Sequence, residues 1–319
     1  MRAARPDRHA AEWQVWAALG IVYVVWGSTY LAIRVMVTGP GGLPPLLAGG
    51  TRHVVAAAII FSLLVLWRGR GALMLRRSEL IGGAIVGLLL LLGGNGLVVL
   101  GEQEVPSGLA ALIVAVVPLC VVVMRWLFRE RIGTGTILGV IAGFAGVAIL
   151  IVPEGISGRV DVLSMLMLVG AAISWSIGSY MSRRLDMPHD PLASTGVQMI
   201  VGGIGLLVTG ALTGETLQPE QFSAASLLSL LYLIVFGSVL AYTAYTWALI
   251  HTSVSRVSTY AYVNPVVAVF LGAVLLNETV DLTMMIGAAV IIVAVWLVIR
   301  TEARRQPARA TPVEAEPVA

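Results

Sequence analysis

Ten stretches of this chain are apolar for about the length a helix needs to cross a bilayer, roughly 17–25 residues. They cover residues 14–37, 45–67, 80–100, 108–128, 133–152, 162–182, 191–212, 226–249, 257–276 and 282–299, with only short polar connections between them. Lipid offers the backbone no hydrogen-bond partners, so a spanning segment must be a helix or part of a closed barrel. The two-residue alternation of barrel strands is absent. The reading is an all-α integral membrane protein with ten transmembrane helices. Composition agrees: 58% of residues are hydrophobic and 12% charged, against roughly 45–50% and 25% in soluble domains.

The charges fall where a multi-pass topology needs them. Arginines crowd the first residues, the loop at 68–79, the turns after the fourth and sixth helices, and the tail, whereas the alternate loops carry mainly Asp and Glu. By the positive-inside rule the Arg-rich loops and both termini are cytoplasmic, which also requires an even number of helices. The expected location is the cell (inner) membrane. The net charge of +3 is explained by this placement, so no nucleic acid is expected as a partner. The basic start leads into an apolar run too long for a cleaved leader. Residues 1–13 read as a cytoplasmic N-terminus and 301–319, rich in Pro, Ala, Glu and Arg, as a disordered tail.

The halves of the chain resemble each other. In outline 113–143 matches 260–290, with Pro118 on Pro265, Glu130 on Glu278 and Gly139 on Gly287. "WGSTYLAIR" (26–34) similarly matches "WSIGSYMSRR" (175–184), aligning Trp26 with Trp175, and Pro45 with Pro191 sets Arg52 against Gln198. The units are a first repeat at 14–152 and a second at 162–299. Five helices is an odd number, so the second copy enters the membrane inverted. In such architectures the solute site lies between the halves near the midplane, marked by interrupted hydrophobic segments.

These same stretches carry a family resemblance. "WGSTYLAIR", "LPPLLAGGTRHVVAA" (43–57), Pro118 with the Glu130 turn, and "NPVVAVFLGAVLLNETV" (264–280) together resemble the EamA-type transporters of the drug/metabolite transporter superfamily. The resemblance covers about residues 14–300. It implies a ten-helix exporter of small metabolites or amino acids, with a central cavity lined mainly by helices one, three, four, six, eight and nine.

Side chains that are costly in lipid outline the same cavity. Candidate solute-binding residues are Trp26, Ser28, Thr29, Tyr30, Arg52, Asn95, Trp175, Ser179, Gln198, Tyr242, Tyr245, Tyr260, Tyr262 and Asn264. Arg52 reads either as a donor to a solute carboxylate or gate latch, or as a snorkelling or loop-paired charge; His53 reads as packing. Gly27, followed by Ser28 and Thr29, reads as a loosened point about midway along helix one. Pro118 and Pro265 read as bends, and Glu130 and Glu278 as N-terminal caps of helices five and ten. Gly139 and Gly143 suit close packing within the chain or in a homodimer. No carboxylate lies securely within a helix, which disfavours cationic drugs and a simple carboxylate proton carrier. The four histidines do not cluster, and no Gly-Lys phosphate loop exists, so neither a metal or other cofactor nor ATP is expected. The expected function is secondary transport of small neutral or zwitterionic solutes by alternating access. The competing readings are a membrane receptor or scaffold without transport, and an intramembrane enzyme.

Overall fold

The computed structural model describes residues 11–130, 132–157, 160–252, 254–257 and 259–305. Ten helices follow in order: α1 (Glu12–Val37), α2 (Pro45–Arg68), α3 (Arg77–Gly101), α4 (Ser107–Leu127) and α5 (Thr134–Ser157) form the first half. The second half holds α6 (Val162–Met181), α7 (Pro191–Leu212), α8 (Ala224–Ala248), α9 (Tyr260–Leu276) and α10 (Leu282–Arg305). Among the described residues nine helices are long and apolar enough to cross a membrane; α9, at 17 residues, is shorter. A separate helical turn, Val254–Val257, precedes α9, which begins at Tyr260 where the sequence suggested a run from 257. The last helix extends to Arg305, past the expected start of the tail, and 306–319 lie outside the described residues, as do residues 1–10.

Helix starts follow local chemistry. Pro45 and Pro191 open α2 and α7, where a missing N–H costs nothing. Asp161 accepts from Ser164 N at 2.7 Å, and Asp190 accepts from Leu192 N at 2.8 Å. The role expected of Glu278 needs correction. Glu278 accepts from the backbone N–H groups of Ser107 and Gly108, at 2.8 and 3.0 Å, so it caps α4 in the other half of the chain. The first turn of α10 is served by Asp281, which accepts from Met284 N at 2.8 Å. Glu215 repeats the device, accepting from Leu46 N and Leu47 N at the start of α2. Glu130 pairs with Arg125 at 2.7 Å and Arg184 at 3.3 Å. The Arg125 hydrogen bond holds its carboxyl below the ordinary range.

Packing comes in matched couples, as two related halves require. Helix α2 lies along its counterpart α7, and α5 along its counterpart α10. The α1–α9 contact is mirrored by α4–α6, and α1–α8 by α3–α6. Small residues permit the closest approaches. A Cβ on Gly139 would lie 2.6 Å from Val298 of α10, and Gly143 faces Ala294 of α10 and Leu119. That glycine pair is therefore occupied within the chain.

Three helices depart from regular α geometry. α3 and α8 pass through π-helical stretches, with i→i+5 bonding, at Leu88–Asn95 and Leu233–Leu240. α4 is broken between Val114 and Val117, and Pro118 sits in the first turn of its second segment. Pro265 lies inside α9, which continues through it. α1, by contrast, is an unbroken helix through Gly27. There Ser28 and Thr29 donate to the carbonyls three residues back, and a Cβ on Gly27 would lie 2.6 Å from Val267 Cβ of α9.

The orientation of the bundle is testable. With Cys120, which is buried, replaced by Ala, Gln218→Cys is expected to react with an impermeant thiol reagent added to intact cells, and Gly71→Cys is not. The opposite labelling pattern would reverse the topology.

Candidate solute cavity

A cavity of about 80 Å³ lies between the two halves. α1 contributes Trp26, Thr29, Tyr30 and Ile33, and α2 contributes Arg52 and His53. Gly94, Asn95 and Val98 of α3, with Val114 and Val117 of α4, form one wall. Ala171 and Trp175 of α6, Gly237 and Tyr242 of α8, and Tyr260 and Asn264 of α9 form the other. Every irregular helix reaches the cavity at its irregularity: Gly94 and Asn95 end one π-helical stretch, Gly237 lies in the other, and Val114 and Val117 flank the break in α4. Such extra-residue turns in otherwise regular helices are frequent at functional sites.

The cavity has two chemically distinct ends. Toward the Arg-rich loops it is aromatic. Trp26 packs edge-on against Trp175 and Tyr260, with ring centroids 5.8 and 5.5 Å apart, and lies 4.9 Å from Tyr245. Each such pair adds roughly 0.5–1.5 kcal/mol beyond its buried area. Below them the hydroxyls of Tyr23 and Thr259 are hydrogen-bonded, tying α1 to the turn before α9. Trp26 Nε1 also donates to Gly237 O of α8 at 3.2 Å, while Ser174 of α6 donates to Leu89 O of α3 at 2.7 Å. The π-helical stretch of each half thus receives a hydrogen bond from the first helix of the other.

Toward the opposite face the cavity is cationic. Arg52 is 5% exposed and lies seven residues into α2, about 10 Å along its axis. Its Nε donates to Ser238 Oγ at 2.8 Å, while Nη1 and Nη2 make no hydrogen bond to the described residues. Gly237 makes room for this group, since a Cβ there would sit 3.0 Å from Nη2. Arg52 is the one lining side chain with a fixed charge. Its counterpart Gln198 has a different task, accepting from the Tyr242 hydroxyl at 2.6 Å outside the lining.

Of the residues the sequence proposed, Trp26, Thr29, Tyr30, Arg52, Asn95, Trp175, Tyr242, Tyr260 and Asn264 meet at the cavity. Tyr245, Ser179 and Gln198 stand behind this layer. Ser28 faces Tyr232, with their hydroxyls 2.6 Å apart, and Tyr262 faces Tyr23 and Thr259; neither lines the cavity. The sequence reading gave His53 to packing, whereas its ring lines the cavity with Nδ1 unbonded among the described residues, and it passed over Ser238, which holds Arg52. It placed no carboxylate securely within a helix, and the burial of one at a helix end was not foreseen. Glu102, the first residue after α3, is fully buried.

Comparison with known proteins bears on the whole chain. The profile of the EamA-like transporter family matches residues 13–152 and again 162–300. The "Uncharacterized inner membrane transporter YedA" of Escherichia coli (strain K12) is 37% identical over 285 residues, covering 89% of this chain and 90% of that protein. The "Uncharacterized transporter YvbV" of Bacillus subtilis (strain 168) is 26% identical over 92% of this chain and 93% of its own length. A chloroplastic WAT1-related protein of Arabidopsis thaliana is 28% identical over 89% of this chain and 69% of its length. One crystal structure superposes with a TM-score of 0.65 at 18% identity, covering 92% of this chain and all of that one, which establishes the shared fold. With both halves matched and a 37% identical relative spanning nearly its full length, this chain belongs to the EamA-like transporter family.

Proposed function

We propose that the chain exports small zwitterionic metabolites, amino acids with an apolar side chain foremost, across the inner membrane by alternating access at the cavity between its halves. The observation that carries this reading is Arg52: a buried guanidinium on the cavity wall, held at one edge by Ser238, with neither Nη group engaged by the described residues. A planar fork of this kind suits a carboxylate, which it can hold with two parallel charge-assisted hydrogen bonds. The aromatic end supplies a surface for an apolar side chain. The matched helix couples give alternating access a structural basis, because each half can adopt the arrangement of the other. The name of the Escherichia coli relative supports the inner-membrane location.

The test is counterflow in proteoliposomes, with a panel of radiolabelled amino acids, sugars and nucleosides. Saturable exchange of neutral amino acids with large apolar side chains is expected. Exchange of nucleosides or sugars with none of amino acids would remove the role given to Arg52. No exchange of any solute would favour a receptor or scaffold.

A further inference from the structure

We propose that Glu102 is a proton-binding latch of the transport cycle: it is a neutral acid while the face opposite the Arg-rich loops is closed, and ionises when that face opens. This rests on the transport reading above and adds a control to the same site. Glu102 begins the turn between α3 and α4, is 0% exposed, and neither carboxylate oxygen accepts a hydrogen bond from the described residues. The nearest strong donor is spent elsewhere. Arg34 of α1 gives its Nη1 to the backbone carbonyls of Glu102 and Val105, at 2.6 and 3.1 Å, fastening the turn to α1 while leaving the carboxylate alone.

An ionised carboxylate sealed from water without one hydrogen bond costs several kcal/mol. Taking a proton is the cheaper state. The groups facing Glu102 are Tyr30 and Arg34 from α1, Arg52 from α2 and Glu278 from the loop before α10. Burial drives the Glu102 carboxyl well above the ordinary range; Glu278 pushes the same way, and Arg34 and Arg52 oppose it. Tyr30 and Arg52 also line the cavity, which places the latch one side chain away from solute.

The step is a simple proton exchange. When the ends of α1, α2 and α3 part, water reaches the carboxyl, its proton passes to that water, and the carboxylate faces Arg34 and Arg52. Closing that face requires water on the same side to return the proton.

The test needs no identified solute. Ile33 is 3% exposed and lines the cavity, so Ile33→Cys, with Cys120→Ala, reports opening by reaction with an impermeant thiosulfonate added to intact cells. Rates are divided by those of Gln218→Cys, which cancels thiol ionisation and reports orientation. The normalised rate is expected to rise several-fold as the pH is raised above the ordinary carboxyl range. With Glu102→Gln, which cannot ionise, it should stay low and flat. A rise of the same size in the glutamine variant, or none in its absence, would overturn the proposal. If Glu102→Gln does not accumulate, infrared titration of the otherwise unaltered protein decides. A carboxylic-acid carbonyl band persisting above the ordinary carboxyl range is expected, and its absence there sinks the latch. Failure of the amino-acid panel alone would leave both readouts standing.

Discussion

Arg52→Met is expected to lower solute flux at sub-saturating concentration by about 10- to 150-fold, the equivalent of the roughly 1.5–3 kcal/mol of a charge-assisted hydrogen-bond pair. The folded protein should be no less stable. Burying a guanidinium carries a desolvation cost, and its replacement by an apolar side chain of similar volume is often neutral or stabilising. Arg52 has one hydrogen bond to the described residues, to Ser238, so little is lost on that side. Arg52→Lys keeps the charge without the planar fork and should recover only part of the flux. Flux at several concentrations, with thermal stability measured on the same preparations, checks both halves of this expectation. A fall in stability that tracks the fall in flux would make Arg52 a structural ion.

Gly50→Val is expected to do the reverse, removing the protein while leaving the site chemistry intact. A Cβ at this position would lie 2.7 Å from Leu207 Cγ and 2.8 Å from both Gly203 O and Leu207 N. Two of those atoms are backbone, so no rotamer change relieves the clash and the axes of α2 and α7 must separate. Their contact is the most extensive in the bundle. Overpacking of well-filled sites costs about 1–3 kcal/mol, and the immobile backbone here places Gly50→Val at the upper end, about 3 kcal/mol, a shift of more than 100-fold in the folding equilibrium. Detergent-solubilised yield and size-exclusion profile read it directly. Gly20→Ala, whose new Cβ would meet no described atom within 4 Å beyond its own stretch of helix, is the matched control and should be silent.

Much of this architecture is legible before any coordinates. Lipid imposes one rule on every segment, so helices announce themselves by length and polarity, and the arginines record the alternation of loops. Trp26 and Trp175 stood out because a repeat aligns them, and they meet in the cavity. What escaped the sequence depends on bonding or on partners distant in the chain. The π-helical stretches at Leu88–Asn95 and Leu233–Leu240 are as apolar as their surroundings, because a changed hydrogen-bond spacing leaves no mark in composition. Gly27, Ser28 and Thr29 look like a weak point in one dimension, but Gly27 lies against Val267 of α9 and the two hydroxyls return to their own helix. Glu278 has the spacing of a local cap, and its carboxylate serves a helix some 170 positions away in sequence. His53 sits beside Arg52 on a face that would be turned away if the cavity were narrow, yet both side chains reach it.

The π-helical turns also carry a record of ancestry. Each arises where one residue more than regular winding requires is held in a helix, and each lies near the midpoint of the third helix of its half. Kept in regular winding, such an insertion would rotate everything beyond it by about 100° relative to its neighbours; the wide turn takes up the extra residue locally instead, and a chain tolerates it only where the surrounding helices accommodate the widened backbone. Two independent insertions at corresponding places would each need that accommodation separately. A single insertion in a five-helix ancestor, copied when the gene doubled, needs it once. On this account the half-length ancestor already wound its third helix this way, and the cavity's irregular walls are older than the fusion that joined them into one polypeptide.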